Sequence, residues 1–173
     1  MITKEFGKGK MLNTNRKPND NVKTPRDISK FTIDLFDLGG KVLDPFMGDG
    51  SFYDQYPEWC DKDWCEIDRG RDFFTYTDKV DWIISNPPYS ILDEVLEHSF
   101  KIAGNIVYLV PLSKIVSSMK RVRAIDKFGG VPLVYILASS KCGFNFGFPS
   151  CIIHIKKDYK GETKIYVDRG KDE

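Results

Sequence analysis

No run of apolar residues in this chain approaches the ~18 that a membrane-spanning helix requires. The first thirty residues are polar and lack the apolar centre of a secretion signal. No association with a membrane is therefore expected. Cysteine is sparse: the four residues, at 60, 65, 142 and 151, form no C-x-x-C pair and stand in no His-rich spacing. That pattern argues against a zinc site and points to reduced thiols in a cytoplasmic protein, with no metal expected. A charge excess is missing too. Lys and Arg total 26 against 25 Asp and Glu, a formal net charge of +1, so the total alone selects no class of partner. What remains is ordinary globular composition, with 41% hydrophobic and 29% charged residues, which excludes disorder, collagen and coiled coil. At 173 residues, one domain is the expectation.

The charge is balanced overall but unevenly placed. Residues 1–30 carry eight Lys or Arg against three acids, and residues 44–81 carry eleven acids against four basic residues. Between 112 and 127 the sign returns to positive, with Lys114, Lys120, Arg121, Arg123 and Lys127 against Asp126. Alternation of this kind is solvated surface, or else an acidic pocket for a cationic small molecule flanked by basic surfaces for a polyanion.

Residues 1–22, rich in Lys, Asn and Gly, read as a flexible basic arm. Residues 23–173 read as the single folded domain. From Pro25 to about Leu38 the apolar residues recur at helical spacing, with Thr24 as N-cap and Pro25 in the first turn. Short apolar runs follow at 41–44, 63–67, 81–85, 106–110, 133–138 and 151–155, with a last strand at 163–167. Helices are expected between them at 50–56, 90–103 and 112–127. Several runs are apolar throughout, as strands covered on both faces must be. Strand–helix alternation predicts an α/β fold with an open, mostly parallel sheet. Ligands of such sheets bind beyond the carboxyl ends of the strands.

Three strand ends carry chemistry. Asp44-Pro45-Phe46-Met47-Gly48-Asp49-Gly50 follows the first run, and its two glycines let the backbone turn sharply and approach a ligand. Glu66 and Asp68 close the second run about twenty residues later, where a carboxylate can accept from ribose hydroxyls. Ser85-Asn86-Pro87-Pro88-Tyr89 follows the third. Paired prolines cannot continue a ladder and stiffen the turn. The Asn86 carboxamide, the Pro87 carbonyl and the Tyr89 ring then form a receptor for a planar group bearing an amine.

Together, D-P-F-M-G-D-G at 44–50, E-I-D at 66–68, R-D-F-F at 71–74 and S-N-P-P-Y at 85–89 resemble the S-adenosylmethionine-dependent amino-methyltransferases. The likeness is nearest to the DNA adenine-N6 class and runs from about Thr24 to Ile155. It implies a Rossmann-like class I methyltransferase fold, S-adenosylmethionine as cofactor and DNA as substrate. Thr24 and Pro25, in the segment that closes over the cofactor's carboxylate, would contribute to cofactor binding. So would Asp44, Pro45, Phe46, Gly48 and Gly50 around the methionine moiety, Glu66 at the ribose, and Asp72 with Phe73 or Phe74 at the adenine. Asn86, Pro87, Pro88 and Tyr89 would be the catalytic residues, acting on a base flipped out of the helix. Phe144, Phe146 and Phe148 are expected either in the core or as the opposite wall of the base pocket.

The sequence departs from the family's sequence-specific members, which carry a separate target-recognition domain: only about 60 residues lie between Tyr89 and Pro149, filled by two helices and two strands, so a bare catalytic domain is expected, as in small phage-type enzymes. Lys114, Lys120, Arg121 and Arg123 would then meet the nucleic acid, and a partner protein could supply specificity. Adenine-N6 methylation of RNA, or methylation of glutamine in a protein, uses the same receptor chemistry.

Overall fold

The computed structural model describes residues 23–142 and 149–168. The amino-terminal arm and Phe144, Phe146 and Phe148 lie outside them. The described residues build one seven-stranded sheet from β1 (Lys41–Asp44), β2 (Asp61–Trp64), β3 (Val80–Ser85), β4 (Ala103–Pro111), β5 (Gly129–Leu137), β6 (Ser150–Lys157) and β7 (Lys164–Val167). The order across the sheet is β2-β1-β3-β4-β6-β5-β7. All neighbours run parallel except at β6, which is antiparallel to both β4 and β5. The expected parallel α/β sheet is present, with one reversed strand.

Period-two alternation divides the strands between two cores. Leu43, Ile83, Ile106, Tyr108 and Ile153 point to one face, where Val95 and Leu96 of α2 (Leu92–Ile102) and Ile125 of α4 (Met119–Phe128) cover them. Val42, Ile84, Val107, Leu109 and Ile152 point to the other, against Ile28 and Ile33 of α1 (Arg26–Asp34) together with Phe52 and Tyr56. Coverage on both faces is why the Ile106–Val110 run carries no polar residue.

Four boundaries differ from expectation. The first helix ends at Asp34 and has Pro25, not Thr24, at its N-cap position. Beyond it Phe36 and Leu38 still serve the second core from non-helical backbone, so apolar spacing outlasts the helix. β2 ends at Trp64, before the apolar Cys65 and Ile67, because it is an edge strand with partly exposed residues. Residues 50–56 hold only a 3-10 turn, Tyr53–Gln55. The long basic helix is two: α3 (Leu112–Val116), then α4, whose first turn is capped by the Ser118 hydroxyl accepting from the Arg121 amide.

Candidate active site

From β1 the chain moves outward to β2, then crosses back to β3 on the other side of β1. Such a reversal opens a crevice between the loops that leave β1 and β3. Both sequence motifs emerge there. A cavity of about 320 Å³ opens at this point, and its lining includes Thr24, Phe46, Gly48, Glu66, Asn86 and Pro88. These six were expected site residues, and the fold brings all of them to one space.

The loop after β1 is shaped by its glycines. Gly48 and Gly50 have φ of +55° and +88°, values that an L side chain adopts only with strain. A Cβ at Gly50 would also lie 2.9 Å from the Asp54 carboxylate, which the Arg26 side chain of α1 holds at 2.7 Å. Glu66 ties the loop from the β2 side: its carboxylate accepts from the Gly48 amide at 2.9 Å and from the Asp68 amide at 3.3 Å. Glu66 therefore positions the loop as well as lining the cavity, two tasks that its several acceptor sites allow.

Asp44 lies at the root of this loop and is fully buried. Its Oδ1 accepts from the Ser85 hydroxyl at 2.7 Å and the Phe46 amide at 3.2 Å, while Oδ2 has no hydrogen-bond partner among the described residues. Burial is the main reason the carboxyl is pushed up to about 7, and the nearby Glu66 charge adds to the rise. The Ser85 bond joins the end of β1 to the end of β3, one residue before Asn86. It was not foreseen, although Ser85 stood inside the motif.

Asn86 is held on both sides. Its Nδ2 donates to Thr24 Oγ1 at 3.1 Å, and its Oδ1 accepts from the Tyr89 hydroxyl at 2.8 Å. Thr24 thus acts as an acceptor for Asn86 rather than as the helix cap. Pro87 and Pro88 are buried, and the chain leaves Pro88 in an extended conformation before a short 3-10 turn over Tyr89–Ile91. The Tyr89 ring packs beside the first core and is not among the residues lining the cavity.

Asp72 and Phe73 lie outside the main cavity. With Pro45, Phe46, Phe74 and Ile91 they line an adjoining notch of about 20 Å³. Asp72 caps a 3-10 turn by accepting from the Phe74 amide at 3.0 Å. Phe73 is 2% exposed and meets Phe46 and His98 edge-on, so Phe74 is the more accessible ring of the pair.

The acidic stretch contributes less to the cavity than its sequence density suggests. Asp63 bonds Arg71 at 2.6 Å on the outer edge, and Asp78 and Asp81 bond Lys41 at the opposite end of the sheet. Asp49, Glu66 and Asp68 remain in the lining, with Lys23 and Arg69 among them. Arg69 donates to the Gly48 carbonyl at 3.3 Å. Sequence reasoning missed Ser51, Phe52 and Arg69, which reach the cavity only through the bend at Gly48–Gly50 and the turn after Glu66.

Of the four expected nucleic-acid contacts, Lys114, Lys120 and Arg123 are exposed, with Lys120 3.3 Å from Glu97. Arg121 is spent differently. Its side chain is 11% exposed and donates at 2.8 Å to Asp93 in the first turn of α2. Replacing Arg121 with Met should lower the unfolding free energy by about 1–2 kcal/mol, read from urea denaturation; an unchanged midpoint would show that the pair contributes nothing.

Burial pushes the Cys65 and Cys151 thiols up to about 12, which suppresses thiolate chemistry. Burial likewise pulls His154 down to about 4, behind Trp82. Among the described residues no three His, Cys, Asp or Glu side chains converge as a metal site would require, and no helix is long and apolar enough to cross a membrane.

No family model and no curated protein matches the sequence. Solved structures do match in fold. A Listeria monocytogenes protein assigned to the class I S-adenosylmethionine-dependent methyltransferases superposes with a TM-score of 0.65 at 14% identity, over 86% of this chain and 66% of its own. The methyltransferase subunit of a type I restriction-modification system from Streptococcus thermophilus gives 0.63 at 16% identity, over 86% and 49%. Phosphoethanolamine N-methyltransferase 2 of Haemonchus contortus, solved with phosphomonomethylethanolamine and S-adenosylhomocysteine, gives 0.50 at 15%, over 78% and 38%. The chain spans less than two thirds of the length of each of these. The fold is that of the Rossmann-like class I methyltransferases, with a mostly parallel seven-stranded sheet.

Proposed function

We propose that this protein transfers a methyl group from S-adenosylmethionine to the exocyclic N6 amine of adenine in DNA. The observation that carries this reading is the Asn86 carboxamide, clamped between Thr24 and Tyr89 in the lining of a cavity, with the buried, half-partnered Asp44 carboxylate behind that lining at the root of the Phe46–Gly50 loop. The cofactor's likeness to this cavity can be tested on its charges. S-adenosylmethionine is a net cation bearing a ribose, and Asp44, Asp49, Glu66 and Asp68 are suited to it. Asp44 would serve the ammonium, since its Oδ2 lacks any donor among the described residues. Glu66 would take the ribose hydroxyls, the loop backbone at Gly48 and Gly50 the methionine moiety, and Asp72 with Phe74 the adenine end.

When bound, the cofactor supplies an electrophilic methyl carbon. The chain's task is to make a poor nucleophile reactive. The lone pair of an adenine amine is delocalised into the ring. Asn86 Oδ1 and the Pro87 carbonyl would accept its two hydrogens, favouring a pyramidal nitrogen with a localised pair. The Tyr89 hydroxyl already shows that a donor reaches Asn86 Oδ1. Thr24 and the prolines hold the acceptors in place, so the acceleration comes from positioning and oriented dipoles rather than from a strong base. The nitrogen would form its bond to the methyl carbon as the carbon–sulfur bond breaks, the electron pair leaving on sulfur as a neutral thioether, and would then release a proton to solvent.

Incubation with cofactor labelled in the methyl group, separately with DNA, RNA and protein, tests the reading. Label recovered as N6-methyladenine from DNA is expected. Label in RNA alone, or in protein alone, would assign the substrate differently.

A further inference from the structure

At the carboxyl end of β4 the chain passes Pro111 into α3, and Ser117 and Ser118 separate α3 from α4. Two connections tie this elbow to the Asn86 loop. β4 is the sheet neighbour of β3, with Ser85 opposite Tyr108, so Asn86 and Pro111 leave the same edge of the sheet. Arg121 in the first turn of α4 also grips Asp93, four residues after Tyr89.

The elbow has an unusual surface. Val116 and Met119 leave 63% and 60% of their area exposed, as few large apolar side chains among the described residues do, Trp59, Ile165 and Val167 being the others above half. Exposed cations flank them along the chain: Lys114 before, and Lys120, Arg123 and Lys127 after. Two of the three acids in α2, Asp93 and Glu97, are already paired with Arg121 and Lys120. Neither Lys114 nor Arg123 has a salt bridge among the described residues. Apolar tips flanked by cations complement an object that is stacked and uncharged inside and anionic outside, which describes a nucleic-acid duplex.

We propose that the α3–α4 elbow wedges a DNA duplex open beside the Asn86 loop. Val116 and Met119 enter the stack where the target adenine has left it, and Lys114 and Arg123 hold the flanking phosphates. The wedge rests on the adenine-methylation reading and adds the form of the substrate. A base turned out of a duplex leaves its neighbours unstacked, and inserted apolar side chains restore part of that contact. Extrusion is thereby favoured on duplex, whereas a single strand needs no such help.

The test compares methyl transfer by the full chain to an adenine-containing duplex and to its isolated target strand, using the double variant V116A/M119A. Both side chains are exposed, so folding should be intact. The ratio of duplex to single-strand turnover should fall about thirtyfold. In a second arm, K114A/R123A should lessen the salt dependence of duplex binding by about two units of slope. An unaltered ratio, or equal losses on both substrates, overturns the wedge. Absence of transfer to either nucleic acid by the unaltered protein overturns the reading beneath it, and the wedge with it.

Discussion

Replacing Asn86 with Ala should lower kcat about a thousandfold while the dissociation constant for S-adenosylmethionine changes by no more than about threefold. Loss of one preorganised polar group at a reacting centre commonly costs 10²–10³ in rate. Here the carboxamide is the side-chain acceptor proposed for the amine, so about 4 kcal/mol of transition-state stabilisation is asked of it. The cavity should survive. Asn86 is partly exposed, and among the described residues its side chain bonds Thr24 and Tyr89. Single-turnover transfer together with equilibrium cofactor binding separates the two effects. If affinity and rate fall together, Asn86 is a structural post of the cofactor site and not the acceptor of the amine.

Cofactor affinity should rise by up to tenfold per pH unit between about pH 5 and 7 and level off above, a trend that Asp44→Asn should flatten. The sign follows from burial. An ordinary carboxyl titrates near 3.8, and in the folded chain Asp44 is pushed up to about 7. Folding therefore favours its protonated form. Its contribution to the stability of the free protein is greatest below about pH 4 and is lost as pH rises through 7. A cation placed beside Oδ2 reverses that preference, so binding below pH 7 must expel a proton. The groups nearest Asp44 should not mask the trend. Glu66 carries the like charge that helps to raise it, and Tyr56 and Tyr108 are pushed far above neutral pH by burial. Calorimetric titration in buffers of different ionisation enthalpy would count the released proton directly. Affinity independent of pH in the unaltered chain would remove Asp44 from the ammonium site.

The parts of this fold that were legible in the sequence are those where one residue type has one physical reason. The Ile106–Val110 run of β4 is apolar throughout because both faces are covered, and the loops after β1 and β3 pointed to the crevice where the cavity lies. Periodicity carries no direction, so nothing in Cys151–Ile155 revealed that β6 runs against its neighbours. β2 was misplaced because an edge strand needs few apolar residues; Asp61, Lys62 and Asp63 pair with Lys41, Val42 and Leu43 of β1 in parallel register. The same division holds at the site. Gly48, Gly50 and the Pro87-Pro88 corner are local solutions to local backbone demands, and they stood out. The Asp44–Ser85 and Thr24–Asn86 bonds join residues 41 and 62 positions apart, and only the folded sheet brings them together. Arg121 shows the converse limit. Its charge suggested a phosphate contact, yet Asp93, 28 positions earlier in the chain, takes it up.

The most direct measurement is a crystal structure of the protein with S-adenosylhomocysteine. The account predicts density in the cavity between Gly48 and Asn86, with the amino group against Asp44, the ribose on Glu66, and the sulfur facing the Asn86 carboxamide across a space that one amine can fill. A product bound elsewhere, or a sulfur turned away from Asn86 with packed side chains between them, would contradict it.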